Sequence, residues 1–201
     1  MNLFAFTLFW WVIAFMYAWF EIELEGKYGW SEKTQTWYRS YKSYPRWLRL
    51  FLGKKPLTGY HTPAFIAVFL IAHMHFVMGV PWTWRNELFA LATYVAWAPL
   101  WDYLWLLFNP NYGIGHMSSK NIWWYQYSYW VGGLVPIENI TQWGISLVIA
   151  AIGGFLLHQV IFLAGLTLLT VIAVITVAKP FSRWNRYMHQ TDDRDKVNIF
   201  H

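Results

Sequence analysis

The chain has 201 residues, of which 57% are hydrophobic and only 12% charged, and its mean hydropathy is +0.28. An ordinary soluble domain carries about twice that charge fraction, so composition excludes a charge-rich water-soluble protein. Cysteine is absent, which removes disulfides and thiolate metal sites, and the net charge of +5 is accounted for by topology, with no nucleic-acid module.

Four apolar runs are almost free of charge: 3–20, 63–80, 88–108 and 145–178. A crossing needs about 20 apolar residues to span roughly 30 Å of hydrocarbon. The first three runs qualify as single spans. The residues before Glu21 lack a basic start and a small-residue cleavage site, so no cleaved signal peptide is expected. The last run is too long for one ordinary span; it is one overlong helix or a hairpin of two short ones.

Positive charge chooses between these. Thirteen of the fifteen Lys and Arg fall within 27–55 or 179–196. Placing both clusters in the cytoplasm requires an even number of crossings between them. The expectation is therefore a single all-α membrane domain over 1–201. Its five spans lie at about 3–20, 63–80, 88–108, 142–157 and 160–178, with four as the alternative. The N-terminus lies outside, the C-terminus in the cytoplasm, and the last turn falls near His158 and Gln159. Residues 26–60 form a basic cytoplasmic loop, whose segment 46–51 can lie on anionic headgroups. The run 121–134, NIWWYQYSYWVGGL, is too short and too aromatic to span, and is expected in the interface or folded back over the bundle. With 16 Trp in all, such interfacial anchoring is plentiful. The polar tail from Thr191 onward is expected to be held by a partner surface.

Ionisable groups inside spans cost about 2.5–3.5 kcal/mol each at the helix centre, so each needs a reason. Asp102 stands in the third span, with Asn109 seven residues later on the same face. His61 opens the second span, and His116 follows the third. In the five-span topology these groups share one side. His61, Asp102 and His116 form a candidate site for a divalent metal or for proton transfer. The alternative is that Asp102 accepts hydrogen bonds from Trp or Tyr neighbours and locks the bundle. His73 and His75 are about 200° apart on a helix and cannot share one metal. Either can supply the single imidazole that a haem or chlorophyll-type pigment needs, or remain a hydrogen-bonded core residue. His158 reads as a turn residue. Glu21 and Glu25 share a helix face and can pair with the basic loop. Asn139-Ile140-Thr141 matches a glycosylation sequon but falls on the cytoplasmic side.

Residues 21–30, Leu57-Thr58-Gly59-Tyr60-His61, Trp101-Asp102-Tyr103-Leu104-Trp105, Asn109-Pro110-Asn111-Tyr112-Gly113 and Asn121-Ile122-Trp123-Trp124 resemble a group of small bacterial polytopic membrane proteins. The group's pattern reads ELEG, LTGYH, WDFLW, NPHYG and IWWH. The likeness covers about the first two-thirds of the chain. It implies prokaryotic origin in an inner membrane and carries no named activity. His61 and Asp102 match it, whereas Asn111 and Tyr125 stand where it has histidines. If the pattern is a metal site, this chain lacks two ligands, with His116 a substitute for one.

Three functional readings follow. The first is an accessory or structural subunit of a larger membrane complex, energy-transducing complexes included, touching lipid, pigment or quinone and other subunits. The second is a membrane-embedded metal-dependent enzyme acting on a lipid or other apolar substrate, with His61, Asp102 and His116 as ligands or acid–base groups. The third is a haem or pigment binder through His73 or His75. The topology is testable by labelling. Cysteine placed at Lys42 and at Asn198 reacts only from the cytoplasmic side, and cysteine at Thr83 only from outside. Labelling of Lys42 and Asn198 positions from opposite sides contradicts it.

Overall fold

The computed structural model describes residues 2–43, 45, 55–117 and 120–192. The segment 46–51 and the tail beyond 192 lie outside the described residues. Six helices dominate: α1 (Leu3–Glu25), α2 (His61–Val77), α3 (Trp84–Phe108), α4 (Ile137–Ile152), α5 (Leu156–Thr176) and α6 (Ala178–Gln190). The fold is thus all-α, as composition predicts. Two small antiparallel ribbons sit between helices, β1 (Tyr38–Arg39) with β2 (Leu57–Thr58), and β3 (Trp130–Val131) with β4 (Val135–Pro136).

Local chemistry sets several boundaries. Asn2 and Thr83 cap α1 and α3, their side chains accepting from the backbone N–H of Ala5 and Asn86, at 3.2 Å in both cases. Such caps satisfy donors that the first helical turn leaves unpaired. At the other end of α1, Gly26 takes a positive φ of 58°, a conformation that glycine adopts without a Cβ penalty.

Helix α3 is the hub, packing against α1, α2, α4, α5 and α6. Its carbonyls at Ala92, Ala96 and Pro99 accept side-chain hydrogen bonds from Gln159 (3.3 Å), Trp143 (3.2 Å) and Asn139 (3.3 Å). Those three acceptors lie on one helical face and pin α4 and α5 to it. On another side, Tyr17 of α1 meets Trp97 and Trp101 edge-on, with centroids 5.4 and 5.5 Å apart. Buried Ala14 and Ala18 let α1 approach closely, as small residues at four-residue spacing do. Between α1 and α5 the approach is closer still: a Cβ at Gly165 would stand 2.9 Å from the Thr7 methyl.

The long run 145–178 is broken into α4 and α5. The turn falls at Gly153-Gly154, earlier than the expected His158-Gln159. Gly154 has φ 72°, and a Cβ at Gly153 would meet the Phe155 ring at 2.1 Å. His158 and Gln159 are consequently helical. His158 packs against Phe6 and Phe89, and Gln159 is spent on the Ala92 carbonyl. By length and composition, two helices can cross a membrane, α1 and α5. Helix α3 is long but includes Arg85, Glu87 and Asp102, while α2 and α4 are apolar with only 17 and 16 residues.

The C-terminal ends of α1 and α3 and the N-terminal ends of α2 and α4 gather at one end of the bundle. Helix α6 turns back over that end. Its Asn185 and His189 bind Glu23 (2.6 and 2.9 Å), and Arg186 donates to the Pro110 carbonyl (2.6 Å). Phe181 fills the gap between Phe15 and Phe108. The aromatic run 121–134 folds back onto this end too, burying Trp124 and Tyr125 before turning through the β3–β4 ribbon. The polar end thus becomes a closed layer under which ionisable side chains meet.

Candidate functional site

Helical spacing starts the site. Glu21 and Glu25 stand four residues apart on the buried face of α1, only 3% and 6% exposed. The chain then reverses through Trp30 and Ser31, whose φ values of 43° and 61° are left-handed. Consecutive non-glycine residues there are uncommon and cost local strain. The reversal aims the Ser31 N–H at the Glu25 carboxylate and stacks the Trp30 indole on the His61 imidazole, with centroids 4.3 Å apart.

The β1–β2 ribbon delivers the other half. Pairing of Tyr38 with Thr58 sets Thr58 just ahead of α2, where its hydroxyl meets His61 Nδ1 at 2.5 Å. This leaves His61 Nε2 facing Glu21 Oε1 at 2.8 Å. The Tyr60 hydroxyl lies between the carboxylates, within hydrogen-bond reach of Glu21 (2.8 Å) and of Glu25, with one proton to donate to either. Burial, and then the two carboxylates, push the Tyr60 pKa far above the ordinary phenol value, so it remains a donor. One oxygen from each carboxylate and one His61 nitrogen all lie within 4.8 Å of one another. Of the described residues, these three are the group whose donor atoms converge as metal ligands must.

A second network adjoins the first. Lys55 Nζ donates to Asp102 Oδ2 and to the Tyr125 hydroxyl, at 2.7 Å each. Tyr125 in turn donates to Asp102, with Asn139 Oδ1 at 2.8 Å. The ammonium also lies 4.4 and 4.2 Å from the Trp30 and Tyr125 ring centroids, within cation–π range. Burial and the Asp102 charge raise the Tyr125 pKa well above that of a free phenol.

Both networks face one cavity of about 480 Å³, held between α2 and α4 on the surface of α3. Its long wall is apolar, formed by Phe65, Ile66 and Phe69 of α2 and Leu91, Val95 and Ala98 of α3. Its far end carries Glu21, Lys55, His61, Asp102, Asn139 and Gln142. One buried lining atom, Glu138 Oε2, has no hydrogen-bond partner among the described residues, while the Trp101 indole N–H faces the Glu21 carboxylate. Buried polar atoms are nearly always paired, so this acceptor suits a polar ligand. The volume lies within the roughly 300–1,000 Å³ range of small-ligand sites.

His61 and Asp102 therefore both line one cavity. His116 does not join them. It lies at the surface beyond α3, its Nδ1 against the Tyr112 carbonyl at 2.8 Å, and Asn109 is used in the turn, donating to the Gly26 carbonyl at 2.7 Å. Asp102 accepts from a tyrosine, Tyr125, as the bundle-locking alternative has it, and pairs with Lys55 as well. Glu21 and Glu25 bond to Tyr60 and Ser31 of the loop 26–60, and Glu21 meets His61. His73 has both nitrogens engaged, by the Phe69 carbonyl (2.7 Å) and Glu87 (3.1 Å). His75 binds the Ala72 carbonyl through Nδ1 and leaves Nε2 buried without a partner; it alone of the two keeps a nitrogen for an axial ligand. Neither lines the cavity.

Sequence reasoning did not assign Glu21, Glu25, Lys55, Tyr60, Tyr125 or Asn139 to the site. The Glu21–Glu25 spacing was one available signal, and Tyr60 beside His61 another. Tyr125 is a bridging group of the site. The sequon residue Asn139 is buried and hydrogen-bonded, which leaves it no role in glycosylation. No protein-family model, curated protein or solved structure matches the chain, so the likeness noted above rests on its motifs.

Removing one member of a buried ion pair costs about 3–5 kcal/mol, because the other charge is left uncompensated. Lys55→Met is thus expected to lower stability by that order. The double variant K55M/D102N is expected to recover at least half of the loss, measured by thermal unfolding in detergent. A double variant less stable than the single one contradicts this account of the pair.

Proposed function

We propose that the protein is a membrane-embedded enzyme acting on an amphiphilic, lipid-like substrate. Its five helices α1–α5 cross a prokaryotic inner membrane, with the basic loop and α6 on the cytoplasmic side. The observation that carries this reading is the cavity itself, apolar along α2 and α3 and closed at one end by ionisable side chains. A purely polar substrate would waste the apolar wall, and a hydrocarbon would leave the charged end unused. Two lining residues, Ile66 and Phe69, are also 55% and 38% exposed on the outer face of α2. In a bilayer that face meets acyl chains, so an amphiphile enters sideways, keeping its tail in apolar surroundings throughout.

The polar end supports acid–base work. With no ion bound between them, His61 Nε2 and Glu21 Oε1 form a pair able to take and return a proton, with Thr58 holding the ring. Lys55, held by Asp102, is a fixed cation against which an anionic or carbonyl oxygen of the substrate can settle. The residues assigned to the chemistry are therefore His61, Glu21 and Lys55, with Asp102, Tyr60 and Tyr125 positioning them.

The accessory-subunit reading draws on the exposed apolar flank of the helices, which suits lipid equally well. A haem or pigment role rests on His75 Nε2 and would appear as a visible absorption band in the purified protein.

Gentle extraction from native membranes followed by mass spectrometry tests the reading. An amphiphile is expected to co-purify with the wild type. Ala98→Trp, which fills the cavity midway along its wall, is expected to cut that amount by about tenfold, equivalent to roughly 1.4 kcal/mol. Retention unchanged in A98W, or no bound amphiphile at all, contradicts it.

A further inference from the structure

We propose that Glu21, Glu25 and His61 bind one divalent transition-metal ion, of the Mn²⁺, Fe²⁺ or Zn²⁺ type, with an open coordination position turned toward the cavity. Ligands held at about 2.0–2.2 Å from one ion stand no more than about 4.4 Å apart. Donor atoms already within 4.8 Å of one another need shift by only a few tenths of an ångström. Two of the three come from a single helical face, and the third opens the neighbouring helix, so the bundle itself fixes their spacing. They are among the most buried polar side chains of the described residues, with His61 only 2% exposed.

The surroundings have the form of a ligand-orienting shell. A metal-binding histidine has its second nitrogen fixed by a hydrogen bond, which sets tautomer and ring orientation. Here Thr58 holds Nδ1 and leaves Nε2 facing the carboxylates, while Trp30 covers the ring plane. Tyr60 and the Ser31 N–H hold the carboxylates from the protein side. The left-handed backbone at Trp30 and Ser31 is what brings both groups there.

Charge supplies an independent reason. Glu21, Glu25 and Asp102 place three carboxylates near one ammonium, Lys55, with a neutral imidazole between them. Buried charge left unbalanced is costly, and with both glutamates ionised a doubly charged cation makes the group neutral, a part that carboxyl protons take in its absence. One imidazole with two carboxylates matches borderline transition ions better than Ca²⁺ or Mg²⁺, which prefer oxygen ligands. Glu21 and His61 line the cavity whereas Glu25 stands behind them. The remaining position therefore faces the space where a substrate sits, the pattern of three protein ligands and one open position. The metal site stands on its own geometry; only its placement against a substrate rests on the proposed function.

The test is metal binding by the full chain in detergent, stripped with a chelator and reloaded with Mn²⁺ alone. One equivalent is expected to survive buffer exchange by elemental analysis, with nitrogen coupling in the electron spin-echo signal. Glu25→Gln and His61→Ala are each expected to weaken binding by at least ~10-fold, the scale seen even for outer ligand-supporting residues. A variant in which His61 is the sole remaining histidine is expected to keep both the equivalent and the nitrogen coupling, and it decides the matter should E25Q or H61A fail to fold. Three results overturn the proposal: no stoichiometric Mn²⁺ on the wild type, binding unchanged in E25Q and H61A, or loss of nitrogen coupling in the sole-histidine variant. A protein that binds metal but co-purifies no amphiphile overturns the substrate reading alone; the reverse overturns the metal alone.

Discussion

Charge buried among helices must be neutralised where it lies, and the polar end of this bundle is organised by that requirement. Coulombic attraction between Lys55 and Asp102 is strong because little water separates them, but so is the cost of removing each from water. The pair is viable only with its remaining hydrogen-bonding capacity filled. Tyr125 supplies that by accepting from Lys55 and donating to Asp102, and Trp30 and Tyr125 place their ring faces against the ammonium. The Glu21–Glu25 carboxylates carry the same requirement, met in part by Tyr60, Ser31 and His61.

These neutralising groups come from every part of the polar end. Lys55 and Thr58 lie on the long loop, Tyr125 on the aromatic return, Asn139 on α4 and Asp102 on α3. The hub helix therefore does two things at once. Its carbonyls pin α4 and α5 on one face, while Asp102 and Trp101 look into the cavity from another. The apolar wall along α2 and α3 is a direct consequence of α2 and α4 both packing on α3 with space between them. A site of this construction couples fold and chemistry: the groups that would handle a substrate's polar end also hold the loops in place.

Much of this was legible in the amino-acid order. The all-helical character follows from the apolar runs. Asp102 and His61 stood out because each is a polar group beside or within such a run, and both reach the cavity. Lys55 was illegible because a lysine in a basic loop is already explained by membrane topology; only the tertiary fold sends it inward. Tyr125 was hidden for a similar reason. In a run of Trp and Tyr, periodicity does not tell which ring faces the core and which the interface. The turn at Gly153-Gly154 was passed over because it leaves α4 only 16 residues long, short of an ordinary span. His116 looked suitable by proximity to Asn109, but the turn after α3 directs it to the surface. The first helix continues past the apolar run to Glu25, which is why its two glutamates belong to the site and not to a loop.

The central claim is that an amphiphile lies along α2 and α3 with its polar end at Lys55 and His61. Photo-crosslinking in native-lipid nanodiscs tests it most directly. A photoreactive amino acid is placed in turn at Ile66 on the apolar wall and at Val148, on the outer surface of α4 and away from the cavity lining. The account predicts that the Ile66 position captures one dominant amphiphile, and that an excess of that species, added unlabelled, suppresses the capture. It predicts that the Val148 position captures bulk phospholipid in proportion to its abundance. Identical, non-competable capture at both positions would contradict it, because the cavity would then be no more than a lipid-facing groove.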